Sequence, residues 1–232
     1  MSIAVGLEYR QMNSLDSGPS APARNRNATI AGVCMVLAGF IAFMGITTAE
    51  VLYPEYSTRQ DISDLGSTIP PNPIIHEPSA TIFNTTMLVT GGLLLIGAFF
   101  SYRFVDGRSF PVALTLFGFG AFGVGVFPGN ITPWHGLFAL LTFFTGGITV
   151  VLSSQVVTGP FSVLCWLFGG ISLLTLTSVF VYGLVIGAPH PLAFLGSGGI
   201  ERWVAYPLII WVLAFGGYLL ASPIATGELS TE

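Results

Sequence analysis

Three histidines, His76, His135 and His190, together with Asp64 or Glu201, supply the ligand types for a zinc-like centre with one position open for water. Their spacing does not carry that chemistry. No H-x-x-x-H or H-E-x-x-H pair is present, so the competing reading is of histidines hydrogen-bonded at helix ends or exposed in loops. Ser63 lies between Asp61 and Asp64 and becomes a nucleophile only if a histidine comes within hydrogen-bond reach, whereas a turn-capping hydroxyl asks for nothing further. The catalytic candidates are His135, Asp64 and Ser63, with His135 in the first turn of a helix as the strongest metal candidate. No resident cofactor is expected, and a divalent metal is the alternative.

Arg202 and Tyr206 are four residues apart and share a helix face, with Glu201 beside them. A guanidinium near hydrocarbon needs a carboxylate, and Asp61 or Asp64 is the expected partner. The structural reading of that pair is a latch pinning a loop to the last helix. The binding candidates are Asp61, Asp64, Asn84, His135, Glu201, Arg202 and Tyr206. A formal G-x-G-x-x-G at Gly118, Gly120 and Gly123 lies within one apolar run, outside any strand-turn-helix context, and reads as close helix packing.

The elements that must position these groups follow from composition. Of 232 residues, 52% are hydrophobic and 8% charged, far below the roughly 25% charged of a soluble domain. Six apolar runs, at about 28–51, 80–102, 110–127, 133–154, 160–186 and 199–221, are each long enough for the roughly 30 Å hydrocarbon layer. The fold class is therefore all-α, a polytopic membrane protein of six transmembrane helices. Three domains of the chain are expected: a polar tail at 1–27, the six-helix region at 28–222, and an acidic tail at 223–232. Ser79, Thr132 and Thr158 are the expected caps ahead of helices 2, 4 and 5.

Arg10, Arg24, Arg26, Arg103 and Arg108 fall on one side of this arrangement and Arg59 and Arg202 on the other. Cytoplasmic segments retain excess basic residues, which puts both termini in the cytoplasm of a multi-pass cell-membrane protein and the 52–79 loop outside. That loop carries Pro70, Pro71, Pro73 and Pro78, which stiffen it, and Ile62, Leu65, Ile69, Ile74 and Ile75, which suit a lid packed on the helix ends. The net charge is −4 and all seven basic residues are arginine, so nucleic acid is excluded as a partner and a halophilic source is suggested. Cys34 and Cys165 lie in apolar runs and read as small buried hydrophobes.

The segments TRQDISDLG, NP, PSATIFN, FPGN ahead of the helix-4 histidine, and GIERWVAYP occur in an order that resembles the six-helix prokaryotic membrane proteins grouped as domain of unknown function 998. The resemblance spans about residues 28–221 and implies a six-helix bundle in an archaeal, haloarchaeal, protein. A more distant likeness is to DRAM-type and lipid-remodelling six-helix membrane proteins. Two function classes remain open at this point. One is a membrane protein that binds a lipid, a small ligand or a partner in an outer-leaflet pocket capped by the loop. The other is a membrane-embedded, metal-dependent or metal-free hydrolase or lipid-modifying enzyme. The expected partners are membrane lipid and either a second copy of the chain or another membrane subunit.

Overall fold

The computed structural model describes residues 25–221. The expected tails, residues 1–27 and 223–232, lie outside that range except for Asn25, which precedes the first helix, and Arg26 and Asn27, which open it. Asn25 caps that helix, its side-chain oxygen accepting from the backbone N–H of Asn27 at 3.0 Å and of Ala28 at 3.4 Å.

Six helices among the described residues are long and apolar enough to cross a membrane. They are α1 (Arg26–Leu52), α2 (Ser79–Ser101), α3 (Ser109–Val126), α4 (Trp134–Ser153), α5 (Pro160–Phe180) and α6 (Gly196–Ala221). A π-helical segment, Val181–Ile186, prolongs α5, and a 3₁₀ turn, Ala193–Leu195, leads into α6. The all-helical, six-span architecture read from the apolar runs is the one observed, and no strand occurs among the described residues. Backbone amides within hydrocarbon have no water to bond, which is why each span closes its hydrogen bonds within itself.

Each helix packs on its sequence neighbours, and α6 returns to pack on α1, closing an up-and-down ring. That alternation brings the α1–α2, α3–α4 and α5–α6 connections to one end, here called the loop end. The core runs along the ring's axis through Met35, Leu94, Leu114, Trp211 and Phe215, all buried. Trp211 is fully enclosed and donates its indole N–H to Ser153 at 2.9 Å, so its polar atom is satisfied where it lies. At Gly91 on α2 a Cβ would meet the backbone of Phe122 at 2.6 Å, so only glycine permits this α2–α3 approach. Gly120, from the formal nucleotide-binding pattern, approaches Thr142 of α4 in the same way.

The expected caps do not form. The Ser79 hydroxyl donates to the Leu65 carbonyl at 3.3 Å, tying α2 to the loop, while Glu77 accepts from the Thr81 N–H at 3.2 Å. Thr158 meets the Tyr218 hydroxyl at 3.4 Å, and α4 begins without a side-chain cap. In each case a tertiary partner or its absence overrides the local preference.

Candidate functional site

The connection from α1 to α2 is short of regular structure, with one 3₁₀ turn at Ile62–Leu65. Ile62 and Leu65 enter the bundle and join Ile46, Tyr53, Phe83 and Val124 in an apolar cluster. This turn plugs the loop end of the ring. Ile69, Ile74 and Ile75, expected to pack with them, are exposed instead. They lie on a tight excursion closed by Thr68, whose N–H donates to the Ile74 carbonyl at 3.1 Å and whose hydroxyl accepts from the Ile74 N–H at 2.7 Å.

The plug is fixed from α6. Arg202 donates through one terminal nitrogen to the carbonyls of Thr58 at 2.9 Å, Gln60 at 3.2 Å and Gly198 at 2.9 Å. Through the other it meets Glu50 at 2.5 Å and the Tyr56 hydroxyl at 2.9 Å. The carboxylate partner is thus Glu50 of α1, in place of the expected Asp61 or Asp64. The reason is the ring closure, which sets the end of α1 directly against the start of α6. Tyr56 passes the interaction on by donating to the carbonyls of Asp61 at 3.0 Å and Gln60 at 3.3 Å. Burial, with the Glu50 and Glu201 carboxylates nearby, pushes the Tyr56 phenol up to about 12 against the pull of Arg202. Glu201 completes the latch from the cavity side, its Oε2 accepting the Ile62 N–H at 2.5 Å. Gly198 makes the close approach possible, because a Cβ there would run into the Gln60 carbonyl.

Beneath the plug lies a cavity of about 80 Å³. Its walls come from α1, α2, α3, α4 and α6, and α5 contributes nothing. Ile62, Ser63, His135 and Glu201 form its loop-end roof; Leu94, Phe117 and Leu208 lie deeper; Thr90 and Thr142 bring hydroxyls to the wall. His135 is 7% exposed and its Nδ1 lies 2.8 Å from the Phe127 carbonyl. A carbonyl only accepts, so Nδ1 carries the proton and, in the neutral ring, Nε2 presents a lone pair.

The other candidates are distributed differently. Asp64 is half-buried outside the cavity lining, and burial together with the Asp61 charge raises its carboxyl above the ordinary range, a hydrogen bond from the Asp61 backbone opposing them. Asn84 sits against Gly66 with its side-chain oxygen buried and unbonded. Tyr206 and Arg202 line an open groove of about 530 Å³ between α5 and α6. His76 packs edge-on against Tyr53, with ring centroids 4.5 Å apart. His190 bonds Ser178 at 2.9 Å and accepts from the Leu192 N–H at 3.1 Å. The three histidines therefore have separate surroundings, and among the described residues no group of three His, Cys, Asp or Glu side chains converges as a metal site would require.

Residue pattern alone reads Glu50 as a charge that turns inward at a span end but does not pair it with Arg202, and it does not single out Tyr56 or Thr90. Glu50 and Tyr56 carried a signal in being polar at a span end, but Thr90 looks like any hydroxyl in an apolar helix. Its Oγ1 is buried without a hydrogen-bond partner, while Thr115, Thr142, Thr145 and Thr149 each return theirs to the carbonyl four residues back.

No curated protein and no solved structure matches the chain. The family described as "protein of unknown function (DUF998)" matches residues 15–218, a stretch that takes in five spans, all but the last three residues of the sixth, and the loop-end latch, and the chain belongs to that family.

Proposed function

We propose that this protein is a ligand-binding membrane protein that holds a small molecule in the central cavity, under the plug formed by residues 62–65. The observation that supports this reading is the cavity itself, apolar along its length with Ser63, His135 and Glu201 among the residues at its loop end, which is the form of a small-molecule site. At about 80 Å³ it is smaller than the roughly 150 Å³ engineered cavity that admits benzene, so it suits a molecule of a few heavy atoms and excludes a whole lipid. Membrane lipid is the partner of the outer faces, including the groove beside Tyr206. The excess of arginine at the opposite end supports a topology with the loop end outside the cell membrane and both termini in the cytoplasm. An acidic chain whose basic residues are all arginine supports a halophilic archaeal source.

Small molecules released from purified protein and identified by mass spectrometry test the reading. A stoichiometric compound is expected from the native chain and none from Ala121→Leu, which fills the cavity. Identical extracts from the two would sink it.

An enzymatic reading is favoured by one observation: Ser63 and His135 line the same cavity, and the Nε2 of His135 has no hydrogen-bond partner there. A fluorophosphonate that labels Ser63, with labelling lost in His135→Gln, would support it; an unlabelled protein counts against it.

A further inference from the structure

The surface that faces the central cavity is almost wholly carbon. The polar side chains around it direct their atoms elsewhere: Thr142 returns its hydroxyl to the Phe138 carbonyl at 2.7 Å, His135 turns Nδ1 to the Phe127 carbonyl at 2.8 Å, and Glu201 turns Oε2 to the Ile62 N–H at 2.5 Å. The Thr90 hydroxyl is sealed within the wall and has no surface open to an occupant. A buried water needs about two to four polar partners, and the trace of polar surface left at the loop end does not supply them. The cavity is therefore dry. A polar or charged occupant would give up its bonds to water there and gain too few in return.

The space exists because of four alanines. Ala42 on α1, Ala121 on α3, Ala139 on α4 and Ala205 on α6 each bring only a methyl group to a wall that is otherwise built from larger side chains, among them Leu94 and Phe117. Left empty, such a space forfeits dispersion contacts along its lining, and an apolar molecule that fills it restores them. Scale follows from comparison with the roughly 150 Å³ cavity that admits the six carbons of benzene: about 80 Å³ holds about three heavy atoms.

We infer that the cavity takes an uncharged apolar molecule of about three heavy atoms, drawn from the hydrocarbon of the membrane, and that Ala42, Ala121, Ala139 and Ala205 set its size limit. This rests on the ligand-binding reading above and gives it a ligand class. Hydrocarbon is the source because such a molecule leaves water for the bilayer, and five of the spans that suit that bilayer form the cavity wall.

The test is thermal unfolding of the full-length protein in lipid nanodiscs equilibrated with cyclopropane, with ethanol, which matches it in heavy atoms but is polar, or with cyclohexane, which is apolar but too large. Each shift is read as the difference from Ala121→Leu in the same nanodiscs, which cancels the effect of solute dissolved in the bilayer; Ala139→Val replaces that variant if it fails to fold. Cyclopropane at several times its dissociation constant is expected to raise the melting temperature of the native chain by about 2–4 °C over the filled variant. Ethanol and cyclohexane should give no such difference. Phe143→Ala widens the cavity and should let cyclohexane stabilise the protein, a gain that misfolding cannot produce. Xenon gives a second readout, since a bound ¹²⁹Xe resonance distinct from that of xenon in lipid should appear with the native chain and vanish with the filled one. If ethanol stabilises the native chain as well as cyclopropane does, the apolar class is overturned and the cavity stands as a ligand site; if cyclohexane does, the size limit is overturned. If cyclopropane moves native and filled chains alike and no bound xenon is seen, the inference falls. The extracts then decide the broader reading: a compound released by the native chain but not by Ala121→Leu keeps it with another ligand, and identical extracts end both.

Discussion

Arg202 and Glu50 meet at 2.5 Å with both side chains largely withdrawn from solvent, 12% and 19% exposed, at the seam where the last span closes on the first. A pair so placed is worth less than its breakage costs, because removing one partner strands the other beside hydrocarbon. Arg202→Met is expected to destabilise the bundle by roughly 3–5 kcal/mol, read as a lowered melting temperature in detergent. The charge-reversed double variant, Glu50→Arg with Arg202→Glu, should fail to recover it, since the carbonyls of Thr58, Gln60 and Gly198 need donors from position 202. Full recovery would show that the pair acts through charge alone.

Gly198→Ala places a methyl against the Gln60 carbonyl. The loop must lift by more than a side chain can absorb, and the Ile62 turn should leave the bundle end with it. Limited proteolysis should cut between residues 54 and 61 faster in this variant than in the native chain. Equal rates would mean that the latch does not hold the loop.

Asp64 gives the loop a pH dependence of definite sign. Its carboxyl is raised by burial and by Asp61, so the folded state binds the proton more tightly than the unfolded chain does. The stability this confers is complete below the ordinary aspartate range and is lost as pH rises through the raised value. Asp64→Asn should therefore flatten the acid side of the stability profile and make the protein more stable at neutral pH. A variant less stable than the native chain at pH 7 would contradict the assignment.

Sidedness is open to direct measurement. Ser67 is 1% exposed and out of reach of a reagent, whereas Ile69 on the same loop is 64% exposed. Cys34 and Cys165 are buried and leave a low background. Ile69→Cys in intact cells should react with an impermeant maleimide. Reaction only after the cells are opened would invert the proposed topology.

The six spans were legible because an apolar run of membrane length has few other uses, and their ends fell within a few residues of the observed helices. The tie between the loop and the sixth span was legible in Arg202, a charge that could not stand alone at that depth. Its partner was not. Glu50 and Arg202 are 152 residues apart in sequence, and only the closing of the ring brings them together. The cavity was illegible for the same reason, since its wall is assembled from five helices whose order around the axis no single segment encodes. Thr90 in particular differs from its neighbours only in failing to find the bond they make.

The latch also imposes an order on the making of the protein. Glu50 and the carbonyls of Thr58 and Gln60 are synthesised about 150 residues before Arg202, roughly 8–30 s earlier at 5–20 residues per second. During that interval the second to fifth spans are added while the loop-end acceptors have no Arg202 to meet. The nascent chain is thus open at one end until its last helix arrives, and a product terminated before Arg202 carries the loop-end acceptors unpaired.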